Sequence, residues 1–158
     1  MSTRTSPACG MQGLLPPDTR WPDGRWRRRA LTAEAMLHLL RAIALVRVAR
    51  FASWRDSLGS MASDSDRSGD TANAQALLLA AHVEQAAMRL PLDSKCLPRA
   101  IALSAMLRKR RIAHTVVIAA RPANMRESRD SLHAWVEQGG RTILGELRGP
   151  WIVSFRSQ

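Results

Sequence analysis

Leu132-His-Ala-Trp-Val-Glu-Gln-Gly-Gly-Arg-Thr-Ile-Leu-Gly-Glu-Leu147 is the stretch that decides the fold. Two strand-like runs joined by two glycines predict a β-hairpin. Taking Gly139-Gly140 as a two-residue turn pairs Gln138 with Arg141, Glu137 with Thr142, Val136 with Ile143, Trp135 with Leu144, Ala134 with Gly145 and His133 with Glu146. Directly opposed residues share a face, their Cβ atoms about 5 Å apart. One face then carries His133, Trp135, Glu137, Thr142, Leu144 and Glu146. The other carries Leu132, Ala134, Val136, Ile143 and Leu147, which reads as a core face.

Upstream, His114-Thr-Val-Val-Ile-Ala-Ala120 is β-branched and predicts a buried strand. Residues 121–131 read as a polar connection. Residues 95–110 predict a helix, with Pro98 tolerated in its first turn. Residues 72–90 predict another, opened by Thr71 and ended by Pro91, with Leu78, Val83 and Met88 on its apolar side. A first helix is expected over 32–55, N-capped by Thr32. Its apolar stripe is read as Met36, Leu40 and Ile43, joined by Leu37 and Ala44. Residues 57–70 have linker composition, and Pro150-Trp-Ile-Val-Ser-Phe155 is expected to add a short strand. Helices precede strands, so the expected class is α+β: N-terminal helices packed on a small antiparallel sheet.

The length of 158 residues suits one domain, expected over 31–158 behind a mobile basic head of residues 1–30. The longest apolar runs, Ala42–Val46 and Val116–Ala120, fall far short of the roughly twenty residues a membrane span needs. No membrane partner is expected. Basic residues number 24 against 13 acidic, a net charge of +11. Such an excess suggests an acidic partner. All but Lys95 and Lys109 are arginines, there is no Tyr, and only two residues are Phe. Base-stacking platforms are therefore scarce, which argues against nucleic acid. An acidic peptide or protein suits the charge as well.

Chemistry gathers around Cys96, at the start of the third helix. Unpaired amides and the helix dipole there favour a thiolate, the nucleophilic form. Lys95 and Arg99 add positive charge. Cys96, Ala100, Leu103 and Leu107 share one helical face, so the thiol points along the apolar stripe. Alone, Cys96 reads more readily as a small core residue. The hairpin supplies what it lacks: His133 as base, with Glu146 opposite as the orienting carboxylate and Glu137 ranked second. His38, His82 and His114 show no metal-ligand spacing with a cysteine, so no metal is assigned. Cys9 lies in the head, and a single well-placed thiol suits a reducing, cytoplasmic setting.

Cys96-Leu-Pro-Arg-Ala-Ile-Ala-Leu-Ser-Ala-Met-Leu-Arg-Lys-Arg-Arg-Ile112, then Val116-Val-Ile118, then His133-Ala-Trp-Val-Glu137, resembles the lasso-peptide maturation B proteins. The peptidase domain of that family is a transglutaminase-like cysteine peptidase with a papain-like core, and the likeness covers about residues 32–147. The resemblance implies Cys96 as nucleophile and His133 as general base. It implies removal of the leader from a ribosomally made precursor peptide, with no cofactor bound directly. A partner macrolactam synthetase using ATP would then close the ring. The family's acid is usually Asp, and Glu146 stands at the matching position. Larger members begin with a leader-recognition domain. The short head here resembles the split type, in which a separate small recognition protein delivers the leader. The rival expectations are a transglutaminase-like acyltransferase or deamidase with the same triad, and a non-catalytic basic binding module.

Overall fold

A computed structural model describes residues 24–49, 70–92, 94–122, 132–145 and 149–157. Among the described residues three helices, α1 (Gly24–Val48), α2 (Asp70–Arg89) and α3 (Cys96–Lys109), precede four strands. The strands are β1 (Thr115–Ala120), β2 (Leu132–Gln138), β3 (Arg141–Leu144) and β4 (Ile152–Arg156), in the order β3-β2-β1-β4. Every pairing is antiparallel. The arrangement is the expected α+β class, and the tail strand forms as anticipated, on the free edge of β1.

Helix α1 packs on α2 and α3, and α3 packs on β2 and β1. One core joins Leu39, Leu79, Val83, Leu103, Met106 and Leu107 of the helices to Val116, Ile118, Ala134, Val136 and Leu144 of the sheet. The α3 stripe is as read, since Ala100, Leu103 and Leu107 are fully buried behind Cys96. No described helix is long and apolar enough to cross a membrane.

Several sequence expectations need correction. Helix α1 begins at Gly24, so residues 24–30 of the supposed head are helical and Thr32 is no N-cap. Thr32 lies inside the helix and is buried. Its hydroxyl is bonded to the Arg28 carbonyl and, across the interface, lies 2.9 Å from Nδ1 of His82 and 3.0 Å from Oε1 of Gln85. The buried side of α1 is Thr32, Ala35, Leu39, Ala42 and Ile43, while Leu37 and Leu40 of the expected stripe are exposed. On α2, Val83 is buried as read, but Met88 is 79% exposed. The remainder of residues 1–30, with Cys9, and nearly all of the 57–70 linker lie outside the described residues.

The hairpin turn forms at Gly139-Gly140, both with positive φ (54° and 77°), which L-residues adopt only with strain. Gln138 faces Arg141 and Glu137 faces Thr142, as expected. The register then slips, and Val136 faces Leu144 rather than Ile143. This bulge carries Leu144 onto the core face, opposite to its expected side. It also removes the uninterrupted ladder on which the apposition of His133 to Glu146 rested. Glu146 itself lies outside the described residues. Leu132, expected in the core, is 62% exposed.

Candidate active site

Cys96 is the first residue of α3 and Leu132 the first of β2, and the two starts are in contact. The Cys96 thiol points at the Leu132 carbonyl, with sulfur and oxygen 3.9 Å apart. The contacted peptide is the one that leads into His133. The structure thus brings the nucleophile candidate to the backbone of the base candidate. In this arrangement the thiol donates to that carbonyl and not to the imidazole.

The α3 N-cap, Lys95, makes no side-chain hydrogen bond to the first turn, and Pro98 has no N–H to satisfy. The amides at the thiol's end of α3 therefore have no side-chain cap, an arrangement suited to a developing negative charge. Arg99 locks the segment leading into Cys96. Its Nε donates to the Ser94 carbonyl (2.8 Å) and to Ser94 Oγ (3.3 Å), and its guanidinium reaches Glu84 on α2 at 3.0 Å. The charge expected to bias the thiol is thus answered by a carboxylate, and the role of Arg99 is to hold the loop.

His133 pairs across the sheet with Ala119, and Trp135 with Val117. Val116 and Ile118 join the helical core while Val117 and Ala119 do not. The imidazole therefore sits on the face turned away from the helices, half-buried near the end of the sheet that Cys96 reaches. Its Nε2 donates to the Gly145 carbonyl at 2.6 Å. A carbonyl can only accept, so Nε2 carries the proton and, in the neutral ring, Nδ1 carries the lone pair. Trp151 stacks on the ring at 5.2 Å between centroids, and Trp135 lies beside it at 6.0 Å. Arg121 in turn covers Trp151 at 5.0 Å. Tautomer and ring plane are both held.

Glu137, the second-ranked acid, is committed elsewhere. Its carboxylate accepts from the Trp135 indole at 2.7 Å and from Arg156 at 2.9 Å. It orients the tryptophan beside His133 and does not touch the imidazole. The remaining histidines are structural. His114 bonds Ser104 (2.8 Å) and the Ile112 carbonyl (2.9 Å), His82 bonds Thr32, and His38 lies beside Glu34. Among the described residues no cluster of His, Cys, Asp and Glu could hold a metal.

Reading the sequence did not single out Gly145 or Trp151. Gly145 carried a signal, a glycine breaking a strand run, which marks a bulge or a close backbone approach. Both features are present here.

A family model described as the transglutaminase-like superfamily matches residues 39–151. No curated protein and no solved structure matches the chain. The matched range spans the half-buried thiol, the imidazole and Trp151.

Proposed function

The chain belongs to the transglutaminase-like superfamily, and from that premise we propose that it is a cysteine peptidase that removes the leader from a ribosomally made lasso-peptide precursor. The observation that carries this reading is the meeting of the α3 terminus with β2. It sets the Cys96 thiol at the peptide entering His133, whose Nε2–H is already held by the Gly145 carbonyl. That arrangement supports nucleophile, base and orienter roles for these groups in cysteine-type acyl transfer.

In the proposed reaction Nδ1 of His133 takes the Cys96 proton, and the sulfur attacks the carbonyl carbon at the leader's C-terminal end. The Cys96 amide donates to the oxyanion. The C–N bond breaks, the imidazolium proton passes to the departing amine, and the core peptide leaves with a free N-terminus. His133 then deprotonates a water that attacks the thioester. The C–S bond breaks, the leader departs as a carboxylic acid, and the thiol regains its proton. The Gly145 carbonyl supplies the fixed acceptor for Nε2–H, and the neighbouring Glu146 is proposed as the acid that balances the imidazolium. The precursor, a separate recognition protein and an ATP-using macrolactam synthetase are the partners this reading requires.

The test is a cleavage assay read by mass spectrometry. It combines this chain with a candidate precursor peptide and a candidate recognition protein. Wild type should release the leader, and both Cys96→Ala and His133→Ala should abolish release. Cleavage that survives Cys96→Ala overturns the proposal. An added primary amine separates the two acyl-transfer outcomes: a leader carrying that amine in place of a free carboxylate identifies an acyltransferase.

A further inference from the structure

The N-terminal half of α1 and the length of α2 enclose a cleft of about 750 Å³ that lies apart from Cys96 and His133. Leu31, Leu78 and Met88 line its walls. Its floor is formed by buried Thr32 and His82 with half-buried Gln85, the Thr32 hydroxyl lying within hydrogen-bond distance of both partners. Six arginines surround it, Arg25, Arg27, Arg28, Arg29, Arg89 and Arg110, and none of its lining residues is acidic.

The fold answers this charge only in part. Arg110 is bound to Glu34 and Arg29 stacks on Trp26. Arg25, Arg28 and Arg89 are exposed and form no ion pair among the described residues. The first turn of α1 contains no acidic residue, so its arginines crowd the positive end of the helix dipole, where they are repelled. Such a cluster costs the isolated chain stability and suits an anionic ligand. The apolar walls and the 79% exposure of Met88 favour a ligand with apolar groups over a bare anion. Apart from His82 the lining has no aromatic ring, so bases would find no stacking platform. Residues 75–89 of α2 run about 21 Å along the cleft, room for roughly six residues of extended chain.

We propose that this cleft docks an acidic peptide segment carrying apolar side chains, the carboxylates meeting Arg25, Arg28 and Arg89 and the apolar groups lying on Leu31, Leu78 and Met88. The proposal is independent of the peptidase reading, because docking is read without cleavage.

The experiment is fluorescence anisotropy on the full chain in the Cys96→Ala background. The probe is a fluorescein-labelled peptide of alternating Leu and Glu. Controls replace every Glu by Gln, or every Leu by Ser, and a single-stranded oligonucleotide is titrated separately. The Leu–Glu peptide should bind, and both control peptides should bind at least about ten-fold more weakly. Arg28→Glu with Arg89→Glu should weaken binding by a similar factor, as should Met88→Asp. All three positions are exposed, so these variants keep the fold. Absent binding overturns the proposal, as do equal binding of the Gln peptide, unchanged binding by both variants, or tighter binding of the oligonucleotide. Lost docking with intact leader cleavage, or the reverse, separates the fate of this proposal from that of the peptidase reading.

Discussion

The carbonyl that holds His133 belongs to a residue that has to be glycine. Gly145 has a φ of +80°, and a Cβ built on it would lie 2.8 Å from the Ala134 carbonyl oxygen and 3.3 Å from the Trp135 backbone. Both neighbours are β2 backbone atoms, which cannot swing aside as a side chain would. Gly145→Ala should therefore cost about 1–3 kcal/mol of stability and push the carbonyl off Nε2. The proposed leader cleavage should then fall by roughly a hundred-fold, the usual penalty when a catalytic group is misplaced. Gly140→Ala is the control. Its φ is +77°, but no atom lies within 4 Å of the added methyl. It should cost about 1 kcal/mol and leave cleavage unchanged. Thermal unfolding and the cleavage assay, run on both variants, separate strain at the turn from loss of the imidazole's acceptor. Glu137→Gln makes the opposite case. It weakens the ion pair with Arg156 but leaves the Nε2 bond alone. Arg156 is half exposed, so the loss should stay below about 1 kcal/mol, with cleavage retained. Abolished cleavage in a folded Glu137→Gln protein would make Glu137 the acid in place of Glu146.

At the scale of elements, local patterns carried the topology and non-local contacts set the details. The two-glycine turn, the β-branched run of β1 and the apolar face behind Cys96 were all legible, because each is a short-range pattern with a physical period. The bulge between Val136 and Glu137 was not. It follows from the needs of Leu144, which becomes buried, and of Gly145, whose positive φ redirects the chain. One slipped residue changes every side chain beyond it to the other face. For that reason the candidate acid was the least legible of the three candidate site residues. The rotation of α1 was misread for a similar reason. Its apolar residues spread over much of the helix, and hydropathy alone favoured the large ones. The contacts select instead the side on which small residues, Ala35 and Ala42, admit close neighbours, and on which polar anchors cross to other helices. Thr32 meets His82, and Glu34 meets Arg110 and Lys109. Those partners lie 50 to 76 residues away in sequence, beyond the reach of any helical period. Glu34→Gln should accordingly destabilise the protein by roughly 1–2 kcal/mol after solvent screening, more than an isolated surface pair would. Chemical denaturation measures it.

The whole molecule carries a strongly basic charge on a fold in which His38, His82, His114 and Glu34 all resist protonation. Burial, reinforced by Arg28 and Arg89, holds His82 below its ordinary value of 6.5. Burial also lowers His114 and His38, in the latter case against the pull of Glu34. In the folded state these imidazoles stay neutral at pH values where the unfolded chain has already bound protons. Their contribution is therefore present above about pH 6.5 and is lost as the pH falls toward their folded values. Glu34 adds a second, lower window. The Arg110 guanidinium, bonded to both carboxylate oxygens, and the Lys109 ammonium hold it down from 4.5 to about 2. The unfolded carboxylate takes its proton near 4.5 while the folded one remains ionised, so this stabilisation is lost between about 4.5 and 2. Stability should fall on acidification in two steps, a histidine step below 6.5 and a carboxylate step below 4.5. Urea midpoints measured from neutral pH down to about 3 would resolve both. In Glu34→Gln the lower step should shrink while the upper one persists, since the three imidazoles do not depend on that carboxylate for their depressed values. A midpoint that rises between pH 7 and 5.5 would mean that the buried imidazoles gain protons with partners in the fold, and the neutral Thr32–His82 contact between α1 and α2 would then have to be replaced by a charged one.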